Sequence, residues 1–418
     1  MKVYKFGGAS VKDAAGIRNL SRIVAKEKED LAIIVSAFGK TTNALEKVLA
    51  TWLAGDKSYK DHLENIYNYH AGVAEELFIT GNSTGNKIDA SFKELKEYLQ
   101  SAKKSGYDFE YDQVVSFGEI WSTIIVTGFL KEAGLKAEWI DIRKSLITDN
   151  RYRDANVLWD ESSNLIKVAF DYRKSSLYVT QGFIGGTLDG YSTTLGREGS
   201  DYTAAILGNI LDAECVIFWK DVPGVFNADP KWLNDASKLE EMSYREAVEM
   251  TFSGAKVIHP KTIKPLENKK IPLFVKSFLA PDDNGTLVIA EPVLKKILPV
   301  FIRKENQILI SLLPKDFSFV MGDNLSKIFQ TFIMHGIRVN LVEASAVSID
   351  VCVDDERPKV DSLLADLKTE YSAFYNENVE MLSIRHYTAE AIERITANRK
   401  ILIEQRTRSA VRFVVKKA

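Results

Sequence analysis

From residue 1 to about 295 the chain alternates short apolar runs with longer stretches of helical periodicity, and few folds accommodate that order. Val3–Phe6 reads as a strand running into Gly7-Gly8, a helical stretch follows through Ile17, Leu20, Ile23 and Val24, and Leu31-Ala32-Ile33-Ile34-Val35 then ends at Ser36. Similar runs recur at Tyr178–Thr180, Cys215–Trp219 and Pro272–Val275, each beside a Gly- or Asp-containing turn. Apolar strands that alternate with helices belong to an open, largely parallel α/β sheet with helices on both faces. Residues 43–105 are polar and mostly helical, broken at Gly81-Asn82-Ser83-Thr84-Gly85, and read as a helical excursion beside the sheet.

A second region begins near residue 300. Ile308–Leu312 reads as a strand, Leu325, Ile328, Phe329 and Phe332 mark one helix face, and Gly336–Val342 and Ser345–Val351 follow as strands. The tail repeats this order in shortened form, with a strand at Met381–Ile384, a helix at Ala389–Asn398, then Ile401–Ile403 and Ser409–Val415. Ser-Ala-Val opens the last strand of each copy, which argues for an internal duplication. The first copy keeps a full second helix at Pro358–Tyr371 and the second is cut short.

The 418 residues leave room for two or three domains, and 55 Lys plus Arg against 57 Asp plus Glu give no field that would draw nucleic acid or an anionic membrane. No run of about 18 apolar residues stands out as a bilayer span, and the N-terminus lacks the apolar core of a signal peptide. Cys215 and Cys352 sit in apolar runs and suit a reducing, cytoplasmic setting. The five histidines form no ligand spacing with them, so no metal site is expected from a side-chain motif.

No G-x-x-x-x-G-K-[ST] loop, protein-kinase Gly-rich loop or usual dinucleotide fingerprint is present. Glycine turns do follow three strands, at Phe6-Gly7-Gly8, Gly182-Phe183-Ile184-Gly185-Gly186 and Gly196–Gly199. Such turns let backbone N–H groups approach phosphate oxygens without Cβ hindrance, so the set points to a polyphosphate ligand. Lys5 precedes the first turn, where an ammonium could meet transferred phosphate oxygens; the alternative is an ordinary strand-end lysine. Lys256, between Gly254 and the apolar turn Val257-Ile258, could do the same or be a solvated helix lysine.

Thr194–Ala205 places Arg197, Ser200 and Asp201 at the mouth of an apolar helix, whose free N–H groups and dipole favour anions. A plain Ser-Asp cap and a solvated turn are the other reading. The loop Lys220–Lys231 follows the strand Cys215–Trp219, and ligands of open α/β sheets bind outside the carboxyl ends of strands. There Phe226 could pack on a base and Lys231 meet a phosphate, although Val-Pro-Gly and Asp-Pro are ordinary turn formers. Glu119 falls just past what reads as a strand–glycine break at Val114–Gly118, where it could bind a substrate ammonium or cap a helix.

Taken together, Lys5-Phe6-Gly7-Gly8, Val35-Ser36-Ala37, Phe117-Gly118-Glu119, Gly196–Asp201, Trp219–Asp229 and Gly254–Pro260 resemble the aspartate kinases of the amino-acid-kinase family. The duplicated tail resembles their paired ACT regulatory domains. The resemblance implies an α/β catalytic domain over 1–296, a first α+β, ferredoxin-like ACT domain over 297–379, and a shortened second one over 380–418 completed by a strand from about 300–312. It implies ATP-dependent phosphorylation of the side-chain carboxylate of L-aspartate, the first step toward lysine, threonine and methionine, with Mg2+ as cofactor. Lys5, Asp201 and Lys256 would be the catalytic set, Lys5 on the transferred phosphate and Asp201 organising the centre. Ser36, Thr42, Glu119, Arg197 and Ser200 would hold aspartate, Arg197 on its α-carboxylate and Glu119 on its ammonium. Gly7, Gly8, Lys220, Asp221, Phe226, Lys231 and Lys256 would lie about the nucleotide.

The chain departs from the family pattern at four site positions. Ala9 stands for a common Thr, Glu198 for a common Gly, Phe226 for a usual Tyr and Lys231 for a usual Arg. In the tail, Asp323, Asn324, Leu325, Val339, Asn340, Ser345 and Val347 occupy the places of an amino-acid effector site for lysine or threonine, and a homodimer through the ACT domains is implied. Acetylglutamate or glutamate kinase is the competing assignment within the fold, and a non-catalytic amino-acid sensor the competing one outside it.

Overall fold

The apolar runs become strands whose carboxyl ends share one edge. The computed structural model describes residues 1–78, 83–101, 104–255, 258–293, 297–316 and 318–417. The chain divides into two units: Met1–Val225 with Lys238–Val248 and Ile258–Val293, and Phe226–Ser237 with Glu249–Val257 and Leu294–Ala418.

The first unit is built on an eight-stranded sheet, in the order Ala137–Ile140, Leu177–Gln181, Leu31–Val35, Lys2–Phe6, Cys215–Lys220, Leu273–Ser277, Thr286–Ile289 and Glu241–Ser243. All pairings are parallel except Leu273–Ser277 with Thr286–Ile289. Phe6 lies opposite both Val35 and Trp219, and Val35 opposite Gln181, so the turns after four strands emerge together. Leu31–Val35 and Leu177–Gln181 are buried at every position, as strands covered on both faces must be. The helical excursion takes the form of Thr41–Leu53, Tyr59–Leu77 and Ser83–Ser101, while Gly81 and Asn82 of the expected break lie outside the described residues.

Three sequence expectations fail here. Val114-Val115 is no strand: it ends the helix Tyr107–Val115, and Phe117–Glu132 follows as another helix. Residues 110–115 are all buried, and that burial overrides the β propensity of the two valines. Tyr107–Glu132 is long and apolar enough to cross a bilayer, but 78% of its apolar window is buried, so it is a core element. Gly118 marks no break; a Cβ there would lie 3.1 Å from Ala37 Cβ and 3.3 Å from Thr41 Cγ2, so its bareness lets this helix press against the Ser36–Thr42 turn. Gly185 and Gly186 likewise form no ligand turn. They belong to a hairpin, Ile184–Gly186 with Ser192–Thr194, and a Cβ on Gly186 would lie 2.2 Å from the Arg143 carbonyl oxygen.

The second unit carries a six-stranded antiparallel sheet in the order Val339–Ala344, Ile349–Asp354, Val300–Pro314, Tyr371–Arg385, Ala410–Lys417 and Arg399–Arg406. Its two central strands are long and shared. Ile308–Leu312 pairs with Ile349–Val353 of the first copy, while Met381–Arg385 pairs with Ala410–Val414 of the second. Helices Asp323–Met334 and Arg357–Leu367 cover the first half, and Ala389–Thr396 the second. The first Ser-Ala-Val lies in a turn, where the Ser345 N–H donates to Ser348 O at 2.8 Å, whereas the second opens its strand.

Candidate active site

A cavity of about 590 Å³ opens at the carboxyl edge of the first unit's sheet. Three helices begin on its wall: Thr41–Leu53 with Thr42, Phe117–Glu132 with Glu119, and Gly199–Ile210 with Ser200 and Asp201. At Thr41–Leu53 and Gly199–Ile210 free N–H groups and aligned dipoles give the helix start partial positive charge, so the backbone itself favours anions there. Lys5, Gly8, Ser36, Arg197 and Lys220 complete the expected part of the lining.

Asp201 organises the charge. Only 3% of it is exposed, yet Lys5 Nζ lies 2.6 Å from its Oδ1 and Lys220 Nζ 3.3 Å from its Oδ2. Burial alone would raise the Asp201 carboxyl; the two ammonium groups outweigh burial and hold it below the ordinary carboxylate range. Burial likewise works against the Lys220 ammonium, and Asp201 and Glu198 together keep it above its ordinary value. The result is two fixed cations bracketing one buried anion.

Glu119 is the converse case. Its Oε1 accepts the Ala37 N–H at 3.3 Å, its buried Oε2 has no hydrogen-bond partner among the described residues, and burial pushes the carboxyl up to about 8. A buried acceptor without a partner costs free energy unless something fills the place, and a substrate ammonium would do so. Arg197 is exposed and forms no ion pair with another described residue.

Close approach sets the turn positions. A Cβ on Gly8 would lie 2.3 Å from the Ala37 carbonyl oxygen, so only glycine lets the first turn rest on the second, where the Gly39 N–H donates to Gly8 O at 3.0 Å. Gly7 does not line the cavity; a Cβ there would stand 3.7 Å from Lys5 Nζ. Glu198 has φ 54°, a left-handed conformation that favours glycine, which accounts physically for the usual residue at that place. Here its Oε2 accepts the His259 N–H at 3.2 Å, so the departure adds a contact and a charge beside Lys220.

The structure adds two wall residues that sequence reasoning missed, Tyr111 and Arg153, and two that lie in segments it singled out without giving them a role, Phe183 and Thr194. Arg153 and Thr194 are tied together by Asp112, which is fully buried and accepts the Arg153 N–H at 3.0 Å, the Thr194 N–H at 2.8 Å and the Thr194 Oγ1 hydroxyl at 2.7 Å. The only trace in the sequence is the charged run Asp149–Asp154, which reads equally as a solvated turn. Burial raises the Asp112 carboxyl to about 6 even against these donors. Thr194→Val is therefore expected to destabilise the first unit by about 1 kcal/mol, read as a lower urea midpoint; an unchanged midpoint would show that the hydroxyl contributes nothing.

The remaining expected residues are not gathered here. Asp221 is exposed one step beyond Lys220 and does not line the cavity, and Lys256 lies outside the described residues. Phe226 and Lys231 belong to the second unit, where Ala228, Trp232 and Leu233 pack on the core around Phe301, Leu382 and Phe413. Among the expected effector residues, Leu325 and Val339 pack against the first repeat's core. Asn340 donates to Gln307 Oε1 at 2.7 Å and to Asp354 Oδ1 at 3.1 Å. Asn324 donates to Ser318 Oγ and Phe319 O, Ser345 pairs with Ser348, and Val347 is exposed. Asp323 begins a helix, and its side chain is outside the described set.

Residues 1–277 match the model of the amino acid kinase family. The chain is 32% identical over 353 residues to lysine-sensitive aspartokinase 3 of Escherichia coli, covering 84% of this chain and 78% of that protein. It is 30% identical to a chloroplastic bifunctional aspartokinase/homoserine dehydrogenase of Arabidopsis thaliana, of which it spans only 42%. Among solved structures, E. coli aspartokinase III superposes with a TM-score of 0.85 in its complex with lysine and aspartate, and 0.83 in its complex with aspartate and ADP. Both matches are 28% identical and cover 100% of this chain and 96% of the other.

Proposed function

This chain belongs to the amino acid kinase family and, within it, to the aspartokinases, and from that premise we propose that it transfers the γ-phosphoryl group of ATP to the side-chain carboxylate of L-aspartate. The products are 4-phospho-L-aspartate and ADP, the opening step toward lysine, threonine and methionine. One observation carries the reading: a single cavity holds the lysine pair fixed on Asp201 together with Glu119, whose Oε2 has no hydrogen-bond partner among the described residues, and Arg197, which forms no ion pair with another described residue. Lysine pair and helix starts suit phosphate, while a carboxyl and a guanidinium suit the two charged groups of an α-amino acid.

Phosphoryl transfer rests on placement and charge neutralisation. A side-chain oxygen of aspartate forms the new bond to phosphorus, the bond from phosphorus to the β,γ-bridging oxygen breaks, and its electron pair leaves on ADP. The attacking carboxylate is already ionised at neutral pH, so the protein needs no general base. Lys5 and Lys220 oppose the charge that develops on the transferred group and the leaving oxygen. No three His, Cys, Asp or Glu side chains cluster as cation ligands among the described residues, so magnesium would arrive on the ATP phosphates, where it neutralises charge.

The same reading gives the second unit a regulatory role. The E. coli relative is lysine-sensitive by name and was solved with lysine bound, which supports lysine as the effector here, with threonine as the other choice. Phe319, Met321, Ile333, Met334 and Phe374 are exposed on the first repeat, which supports a homodimer through the ACT domains. Two free, buried cysteines fit a cytoplasmic protein.

The test is hydroxylamine trapping of an acyl phosphate formed from ATP and magnesium, with L-aspartate, L-glutamate or N-acetylglutamate as acceptor. Signal with aspartate alone is expected, diminished by lysine. Signal with another acceptor would move the assignment within the fold, and none with any acceptor would leave an amino-acid sensor.

A further inference from the structure

We propose that Arg153 is a second substrate-binding arginine, placed to share the α-carboxylate of the amino-acid substrate with Arg197; this rests on the aspartate-kinase reading above. Among the described residues four cations line the cavity, namely Lys5, Lys220, Arg197 and Arg153. The first two face the buried Asp201 carboxylate. The two guanidinium groups remain for the amino-acid end.

The geometry presents Arg153 as a prepared group. Its guanidinium lies over the Tyr111 ring, 4.7 Å from the centroid, and 5.4 Å from that of Tyr107. Tyr111 is itself part of the cavity wall and only 7% exposed, so the ring is a fixed platform. One guanidinium nitrogen, Nη1, stands 3.3 Å from Oδ1 of the exposed Asp108. A guanidinium has five donors, and this single rim contact leaves an edge to offer a carboxylate. The backbone of Arg153 has φ 68°, a left-handed conformation that favours glycine. It is held there by the buried Asp112, the same carboxylate that fixes Thr194.

Arg153 and Arg197 also stand on turns that touch. A Cβ on Gly196 would lie 2.7 Å from Asp154 Oδ1 and 3.3 Å from Arg153 O, so the Gly196-Arg197 turn rests directly on the Arg153-Asp154 backbone. Asp154 is in turn ion-paired with Lys261. Both arginines therefore issue from a clamped double turn on one side of the cavity. Two guanidinium groups converging on one carboxylate give strong, directional, charge-assisted recognition. They also select against an acceptor in which that carboxylate is masked.

Arg153→Gly is the informative variant, because glycine keeps the positive φ without strain and removes only the side chain. Its KM for L-aspartate is expected to rise about tenfold to a hundredfold, with kcat and the KM for ATP within about twofold of wild type. Arg153→Lys, which keeps charge without the fork, is expected to fall between. The decisive comparison uses L-aspartate α-amide, whose α-carboxylate charge is gone: wild type and Arg153→Gly are expected to use it equally poorly. Unchanged aspartate KM in Arg153→Gly, or an equal penalty with the α-amide, would overturn the proposal and leave Arg153 as a surface partner of Asp108 and the two tyrosines. Wild-type enzyme inactive on aspartate would instead refute the aspartate-kinase reading itself.

Discussion

Asp201→Asn is expected to lower kcat by about a thousandfold while ATP binds as tightly as to wild type or more so. Asp201 is not placed to attack anything; both of its oxygens face lysines, at 2.6 and 3.3 Å. On the proposed reading it holds two ammonium groups at fixed points where charge develops during transfer. Asparagine preserves the shape but removes the anion, so Lys5 and Lys220 repel each other and drift from their places. The phosphates of ATP then become their best available counter-charge, which is why affinity is retained as turnover collapses. Steady-state kinetics with nucleotide binding by calorimetry would separate the two quantities. A kcat within about tenfold of wild type would show that the lysines are positioned by something else.

The same substitution carries a stability signature. Removing one member of a buried ion cluster leaves uncompensated charge and costs about 3–5 kcal/mol. Lys5 is 11% exposed and Asp201 4% by side chain, so water gives little relief. ATP should therefore stabilise the variant against urea more than it stabilises wild type. Because the native Asp201 carboxyl lies below its ordinary range, its contribution is present above the unfolded pKa near 4 and is lost as pH falls through the lower folded value. The variant should lack that acid-side loss.

Much of the fold and part of the site could be read from the residues. Parallel strands announce themselves as uninterrupted apolar runs, and Leu31–Val35 and Cys215–Lys220 proved to be neighbours of Lys2–Phe6. Lys5, Glu119 and Asp201 line one cavity as the family resemblance implied, although each taken singly also read as a strand-end lysine or a helix cap. The failures have physical causes of their own. Val114-Val115 looked like a strand because β-branching is a local signal, while the burial that keeps those residues helical comes from distant elements. Gly118, Gly185 and Gly186 looked like turn residues, yet their role is close packing, which only the neighbour across the gap reveals. Arg153 was invisible because its partners, Asp112, Tyr111 and the Gly196 turn, lie about 40 residues away on either side.

Three non-glycine residues lining the cavity have positive φ, Arg153, Phe183 and Glu198, and the two charged ones share a logic. Each occupies a conformation that glycine would hold more cheaply, and each sends a charged side chain to the site's electrostatics. Strain tolerated at a binding cavity on two separate turns is more economically understood as function than as accident. The Glu198 charge strengthens the hold on Lys220, and Arg153 adds a donor fork beside Arg197. The chain's own character thus lies at the rim of the cavity, around an inner set of Lys5, Glu119, Arg197 and Asp201.

Aspartate binding at pH 7 is expected to release close to one proton per site, and Glu119→Gln is expected to abolish that release while raising the aspartate KM about a hundredfold. In the substrate-free cavity burial raises the Glu119 carboxyl to about 8, so at neutral pH it is mostly protonated. The arriving ammonium pairs with the ionised form and drives its pKa below 7, and the proton must leave. Apparent aspartate affinity should therefore strengthen as pH rises from 6 to about 8 and level off above it. Stability without substrate runs the other way. A carboxyl whose folded pKa is raised favours the folded state fully below the unfolded value near 4.3, and this contribution declines as pH rises through about 8. Glutamine keeps the Ala37 contact and removes both trends. Calorimetry in two buffers of different ionisation enthalpy measures the proton directly; no buffer dependence in the wild type would mean that Glu119 is already ionised before substrate arrives, and that its partnerless oxygen is met by something other than the substrate's ammonium.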